Sequence, residues 1–278
     1  MSLFVVNKEK CKRDGICVAE CPIGLIELKD KKTVPVPIDG ADEMCVNCGH
    51  CVVVCPHGAI SLATMKSEEC APVQKDLLPG LEQVEHLMRS RRSIRTYEDR
   101  AVEREVLTKL IDVARYAPTG SNIQPVRWLI INDKDEVRRL AGLIIDWVRH
   151  LLKEQNPIAV RYRLDRVVAA WEAGFDRVCR SAPALIITHA PKDYPTAATD
   201  CAIALTYFEL AASVFGLGAC WAGFVYLVAN QLVANQWPPL QQALGLPEGD
   251  TCLAMMVGYP KYRYHRIPQR NDAVVEWR

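Results

Sequence analysis

Net charge is almost absent. The 278 residues carry 34 Lys and Arg against 33 Asp and Glu, a formal +1. A balance this even gives no sign of a nucleic-acid or polyanion partner. The common nucleotide motifs are missing too. Gly216-Leu217-Gly218 opens like G-x-G-x-x-G, but Trp221 stands where the third glycine belongs, so no Rossmann dinucleotide fold is indicated. There is no G-x-S-x-G elbow and no P-loop, and neither internal repeats nor low-complexity tracts occur. No secretory leader is apparent, since Met1 to Lys10 is short and carries Lys8, Glu9 and Lys10. Charge is also missing from Leu210 to Pro247, and Leu210 to Ala229 is apolar enough to span a bilayer. Gly216, Gly218 and Gly223 interrupt that stretch, so the expectation is a doubly buried helix followed by a glycine-rich loop.

Cysteine is abundant, with twelve in the chain, eight of them before residue 71. Without a leader, a secreted disulfide framework gives way to reduced thiols in a cytoplasmic setting, used as metal ligands. Composition predicts three regions: a Cys-rich module over 1–62, a connector over 63–84 containing Pro72, Pro79 and Gly80, and a larger α+β domain over 85–278. Glu103 to Ala117 has Val106, Leu107, Leu110, Ile111 and Ala114 at helical spacing, with Pro118 after its end. Val126 to Asn132, Pro183 to Ala190 and Thr251 to Tyr259 are apolar runs of buried-strand length. Asp200 to Phe215 reads as a helix apolar nearly all round, which must be covered by its own domain or by a second subunit.

The strongest motif is Cys45-Val-Asn-Cys48-Gly-His-Cys51-Val-Val-Val-Cys55-Pro56. Three thiolates on one tight loop can cap three corners of an iron–sulfur cubane. The fourth corner then needs a ligand from elsewhere, while the last Cys of the run serves another cluster. An earlier copy, Cys11-Lys-Arg-Asp14-Gly-Ile-Cys17-Val-Ala-Glu-Cys21-Pro22, is in place to exchange ligands with it. Cys-x2-Cys pairs also bind zinc, which leaves a zinc module as the alternative. Together the two copies resemble the two halves of a bacterial two-cluster ferredoxin. The resemblance implies that Cys21, Cys45, Cys48 and Cys51 hold one [4Fe–4S] cluster and that Cys11, Cys17 and Cys55 hold three irons of the other. Asp14 stands where the remaining Cys belongs. A carboxylate is a harder, weaker ligand for iron than a thiolate. The second cluster is therefore expected as an Asp-ligated [4Fe–4S] or a [3Fe–4S]. Cys70, Cys179, Cys201, Cys220 and Cys252 follow no ligand spacing, and most of them read as small buried hydrophobes.

Beyond the connector, Arg91-Arg92-Ser93-Ile94-Arg95 offers three guanidinium forks and a hydroxyl within five residues, a phosphate-binding chemistry. Alone, such a run is ordinarily a solvated helix face. It is followed in order by the uncharged turn Ala117 to Pro125, by Gly216 to Gly223, and by Gly258 to Arg270 with further cations. This succession, from about Glu85 onward, resembles the FMN-dependent nitroreductase family. The resemblance implies that Arg91, Arg92, Ser93 and Arg95 hold FMN, with Arg270 and Arg266 completing the phosphate grip. It puts Pro118, Thr119, Gly120, Ser121 and Asn122 on the partner subunit's flavin in a homodimer. It lays Cys220, Trp221, Ala222 and Gly223 along the isoalloxazine, with a backbone N–H near Ala222 aimed at N5. Val126, where the family often has Trp, and Gln269, near where it often has Lys, depart from the pattern. His50, His57, His86 and His189 have no ligand-type spacing and read as structural.

The expectation is an FMN-dependent oxidoreductase. Electrons enter singly through the clusters from ferredoxin or NAD(P)H, the flavin collects two, and a hydride leaves N5 for a small electrophile: a nitro compound, a quinone or an activated alkene. No side chain stands out as a general acid. Residues Asp146 to Arg180 are expected to form a substrate-selecting lid. The rival readings are an electron-transfer module between protein partners, in which no small substrate binds, and a redox sensor built on the Asp14 cluster.

Overall fold

The computed structural model describes residues 3–30, 32–232 and 237–278. The chain divides into two compact units, Met1–Pro79 with Gly120–Ile123, and Gly80–Thr119 with Gln124–Arg278. Within the first, β1 (Phe4–Val6) pairs antiparallel with β4 (Ile60–Leu62), setting Phe4 opposite Leu62 and Val6 opposite Ile60. The period-2 alternation buries Phe4, Ile60 and Leu62 and leaves Val5 in solvent. Between these strands lie the single-turn helices α1 (Ile16–Ala19), α2 (Ala41–Met44) and α3 (His50–Val53), and a short β2–β3 ladder (Ile26–Glu27 with Val36–Pro37). Phe4, Cys17, Ile26, Val52, Ile60 and Leu62 form the small core. Asn122 donates its side-chain amide to the carbonyls of Val46 (3.1 Å) and Asn47 (2.9 Å), which ties the 120–123 segment to this unit.

The second unit is built on a four-stranded antiparallel sheet. Its strands are β5 (Arg127–Ile131), β6 (Ala184–Pro191), β7 (Gly218–Trp221) and β8 (Asp250–Gly258), in the order β5-β6-β8-β7. The helices are α4 (Leu81–Ser90), α5 (Arg104–Ala114), α6 (Lys134–Lys153), α7 (Pro157–Arg161), α8 (Asp165–Glu172), α9 (Ala197–Ala212), α10 (Gly223–Ala229) and α11 (Pro238–Leu244). The apolar runs of β6 and β8 reflect cover on both faces. Leu185, Ile187, Cys252, Ala254 and Met256 turn to the side of α6, α10 and α11, whereas Ile186, Ala190, Leu253, Met255 and Val257 turn to the side of α5 and α9. The Asp133 side chain caps α6 by accepting from the N–H groups of Asp135 and Glu136 at 2.8 and 3.0 Å.

Two expectations about elements change. Helix α4 begins inside the stretch read as a connector. Its apolar positions Leu81, Val84, Leu87 and Met88 fall at helical spacing, but none of its residues is fully buried, and Pro79 and Gly80 just before it read as the end of a connector. The buried helix ends as expected before Gly216 (φ 73°), but the glycine-rich stretch after it is not a loop: it forms the strand β7 and the start of α10. Helix α9 with the turn after it (Ala197–Phe215) is long and apolar enough to cross a membrane. Instead it packs Cys201, Leu205, Phe208 and Ala212 into a core and ties Glu209 to Arg91.

Candidate functional site

The two cysteine loops of the first unit share one backbone. Arg13 (φ 60°) and Gly15 (φ 75°) flank Asp14, while Asn47 (φ 52°) and Gly49 (φ 74°) flank Cys48. In each loop the glycine carbonyl accepts two amides of the next helix turn: those of Val18 and Ala19 for Gly15, and of Val52 and Val53 for Gly49. The correspondence extends to the Cys-Pro turns. The amide of Leu25 approaches Cys21 Sγ at 3.2 Å and that of Ala59 approaches Cys55 Sγ at 3.4 Å. Asp14 thus occupies the backbone place of Cys48. Its carboxylate accepts from the Ile16 N–H at 3.2 Å.

Each loop closes over its own cavity. One is lined by Cys11, Asp14, Cys17 and Cys55, with His57 at its wall. The other is lined by Cys21, Cys45, Cys48 and Cys51. The grouping requires each loop's last Cys to cross to the other cavity, as the two-copy motif does. The thiols are held close enough to oppose one another's ionisation. Burial first, then Cys48, Cys21 and Cys45, push the Cys51 thiol up to about 11. Cys17 is raised by burial and then by Cys55 and Cys11. Among the described residues, no three His, Cys, Asp or Glu groups converge as a single metal ion requires. The donors are spread around a wider space.

The arginine segment of the second unit is pinned to the sheet. Ile94 N–H donates to Ala219 O at 3.0 Å, and Tyr97 OH donates to Ile94 O at 2.7 Å. Gly218 on β7 permits this approach, because a Cβ there would stand 2.2 Å from Ile94 Cγ1. The segment then divides its cations. Arg89, Arg91, Arg92 and Arg270 line one cavity with Pro268 and Gln269. Arg95 points instead into a second, apolar-walled cavity of about 600 Å³, shared with Cys220, Trp221 and Gly223. Arg91 is already paired, its guanidinium 2.6 Å from Glu209 Oε1 with both side chains largely buried. Burial raises the Glu209 carboxyl pKa, and Arg91 acts against that rise.

Several expected residues fall elsewhere. Ser93, Ala222 and Arg266 line neither cavity. The N–H of Ala222 is taken by Ala254 O at 2.9 Å, so the next amide, that of Gly223 at the start of α10, is the nearest with no intrahelical partner. Asn122 has its amide on the Val46–Asn47 carbonyls. Sequence reasoning missed Arg161, Tyr162, Arg177, Arg180 and Phe224 as individual site residues, all on the wall of the apolar-walled cavity. The expected lid segment does contribute to that wall through Ile158, Leu164, Val167 and Val178. His189 is structural, its Nδ1 held 2.6 Å from Asp250 Oδ2 in a buried pair.

A model of the nitroreductase family matches residues 88–259, more than half of the chain. The chain belongs to the nitroreductase family. It is a flavoprotein oxidoreductase of that family with a 4Fe-4S dicluster domain matching residues 9–60. Relatives agree with the family. An Archaeoglobus fulgidus protein named for NADH dehydrogenase/NAD(P)H nitroreductase activity is 26% identical over 187 residues, 65% of this chain and 87% of that protein. The iodotyrosine deiodinase of Thermotoga neapolitana is 28% identical over 69% of this chain and 95% of its own length. A nitroreductase from Bacteroides fragilis, solved with FMN bound, shares the fold with a TM-score of 0.55 and 19% identity, covering 70% of this chain and 99% of that one.

Proposed function

We propose that this nitroreductase-family protein binds FMN, takes electrons through two N-terminal iron–sulfur clusters, and reduces a small electrophile such as a nitro compound, a quinone or an activated alkene. The observation that carries this reading is the apolar-walled cavity of the second unit, which Arg95, Cys220, Trp221 and Gly223 line together. A flavin that only relayed electrons between protein partners would need a cavity for its ring but no apolar and aromatic wall opening beyond it to solvent. Bound FMN would supply hydride chemistry there and the clusters one-electron steps. The protein's part is to grip, orient and exclude water. Arg92 and Arg270, free of carboxylate partners among the described residues, would take the phosphate. Gly223 would offer the close backbone approach that the ring needs.

The cluster reading rests on the two thiol cavities. Cys21, Cys45, Cys48 and Cys51 would ligate an all-thiolate [4Fe–4S] centre; Cys11, Cys17 and Cys55 would ligate the second centre, with Asp14 at the fourth iron. The match of residues 9–60 to a 4Fe-4S dicluster domain favours clusters over a single zinc ion. All twelve cysteines are free thiols, which suits a reducing compartment such as the cytoplasm. A homodimer is supported by the outward face of α9, where Ile203, Tyr207 and Leu210, continued by Val214 in the turn beyond, form a stripe not fully covered by its own unit. Pro118, Thr119, Gly120 and Ser121 would reach the other subunit's flavin.

Anaerobic purification, followed by acid release of the flavin and stopped-flow reduction with NADH, NADPH and reduced ferredoxin in turn, tests the reading. FMN and rapid reduction by at least one donor are expected. FAD in place of FMN, or a reconstituted protein that holds no flavin, overturns it.

A further inference from the structure

The apolar-walled cavity carries more positive charge than a flavin requires. Arg95, Arg161, Arg177 and Arg180 line it, and no Asp or Glu does. FMN brings one phosphate, and Arg92 and Arg270 stand ready for it in a separate cavity. None of Arg161, Arg177 and Arg180 is in an ion pair among the described residues. Cations gathered without a counter-charge repel one another, so the grouping gains nothing for the fold.

The loop that carries two of them is built for the purpose. Asp176, buried among apolar neighbours, accepts N–H bonds from Val178 (2.8 Å), Cys179 (2.9 Å) and Ser181 (2.9 Å). The turn holds Arg180 at φ 59° and Ser181 at φ 52°, left-handed backbone that side chains other than Gly rarely adopt. A buried carboxylate therefore stabilises a costly backbone that delivers Arg177 and Arg180 to the cavity wall. Arg161 reaches the same wall from α7. The intervening wall is aromatic and apolar, with Tyr162, Trp221, Phe224 and Leu227. Planar guanidinium forks match a carboxylate bidentately, and rings suit a flat aromatic body.

We propose that the physiological acceptor is an aromatic carboxylate that also bears a two-electron-reducible group such as a nitro group, held by Arg177 and Arg180 from the 176–181 loop and by Arg161 from α7; that group would take the flavin's two electrons, with protons from solvent, and the carboxylate would pass through unchanged. This rests on the flavin reading above. It adds the substrate's charge to it and makes the three arginines specificity determinants rather than parts of the flavin grip.

The test uses photoreduced holoenzyme under anaerobic conditions, so that no donor enters the measurement. Reoxidation of the flavin is followed with 4-nitrobenzoate and with its neutral counterpart 4-nitrobenzamide. Wild type should favour the anion, and that preference should weaken as salt screens the cavity. Arg177→Gln and Arg180→Gln should each lower the anion-to-neutral rate ratio about tenfold. Arg161→Gln, on another element, should lower it in the same direction, and Arg180→Lys should restore part of it. Flavin absorbance of each preparation is recorded first. A wild type without flavin overturns the enzyme reading and this proposal with it. A flavin-loaded wild type that does not discriminate, or variants that keep the ratio, overturns this proposal alone. In a separate stopped-flow run with NADPH in place of light, variants that keep the anion-to-neutral ratio but lose flavin reduction also overturn it, and would assign the arginines to the donor.

Discussion

The two units of this chain converge charges of opposite sign. In the N-terminal unit, thiols and one carboxylate face each other across two small cavities and raise one another's cost of ionising. In the C-terminal unit, arginines line two larger cavities with little acid among them. Both arrangements are incomplete without a ligand, the first without cations and the second without anions. What surrounds them differs. The thiol loops rest on six buried core residues. The arginines hang from a sheet and helices with two extensive cores of their own. Ligand binding should therefore amount to folding in the first unit and only to binding in the second.

Removing the clusters is the largest perturbation of that contrast. After anaerobic chelation, amides of β1 and β4 should lose protection from hydrogen exchange, because so small a core cannot offset chain entropy unaided. Amides of β6 and β8 should keep theirs. Equal loss in both units, or protection retained in β1 and β4, would remove the distinction.

Asp14→Cys sharpens the comparison inside the first unit. Its backbone matches that of Cys48, so a thiolate there should complete the second donor set without refolding the loop. Air exposure of the wild type should release one iron and give the EPR signal of an oxidised [3Fe–4S] centre. The variant should show less of that signal and more iron per chain. Identical spectra and iron counts would place Asp14 outside the cluster and leave it as the cap on the Ile16 amide.

The arginines of the second unit should separate by partner. Arg92→Ala and Arg270→Ala should each weaken FMN binding by roughly 1.5–3 kcal/mol with little change in melting temperature. Arg91→Ala should act mainly on stability, by about 2 kcal/mol, because it strands the buried Glu209. The pH dependence follows from sign. The folded-state pKa of Glu209 already lies above its unfolded value, and loss of Arg91 raises it further. Stability from such a group is full below the unfolded value and is lost as pH rises through the folded one. The deficit of Arg91→Ala should thus grow with pH across that window and level off above it. A deficit independent of pH would show that Glu209 is not the reason.

What the sequence disclosed follows the range of the interactions involved. Cluster ligands must sit on short loops, so the spacing of Cys45, Cys48, Cys51 and Cys55 is readable directly. Strands β6 and β8, covered on both faces, appear as unbroken apolar runs. The pairing of Arg91 with Glu209, by contrast, joins residues 118 positions apart. Nothing near either residue announces it, so Arg91 reads like its neighbour Arg92. Arg177 and Arg180 escaped for another reason. Their aim depends on left-handed backbone at Arg180 and Ser181, which neither residue type favours and which Asp176 imposes.

The smallest expected difference lies between the two loop glycines, and it measures how alike the loops are. Gly15 and Gly49 share φ values of 75° and 74°, so Ala at either position should cost roughly 1–2 kcal/mol in backbone strain. Their surroundings are unequal. A Cβ at Gly15 would meet nothing nearer than Leu28 Cδ2 at 4.0 Å, whereas one at Gly49 would stand 2.5 Å from Met65 Sδ. Met65 packs against the core of this unit, but its thioether end is flexible and can give way. Gly49→Ala should therefore exceed Gly15→Ala by only a few tenths of a kcal/mol, and Gly49→Ala with Met65→Ala should cancel that excess while adding its own packing loss. Chemical denaturation of the cluster-loaded protein, read as a double-mutant cycle, gives the coupling. A Gly15→Ala variant as stable as wild type would mean that the Asp14 loop relaxes out of the left-handed conformation. The two loops would then share a motif but not a rigid backbone.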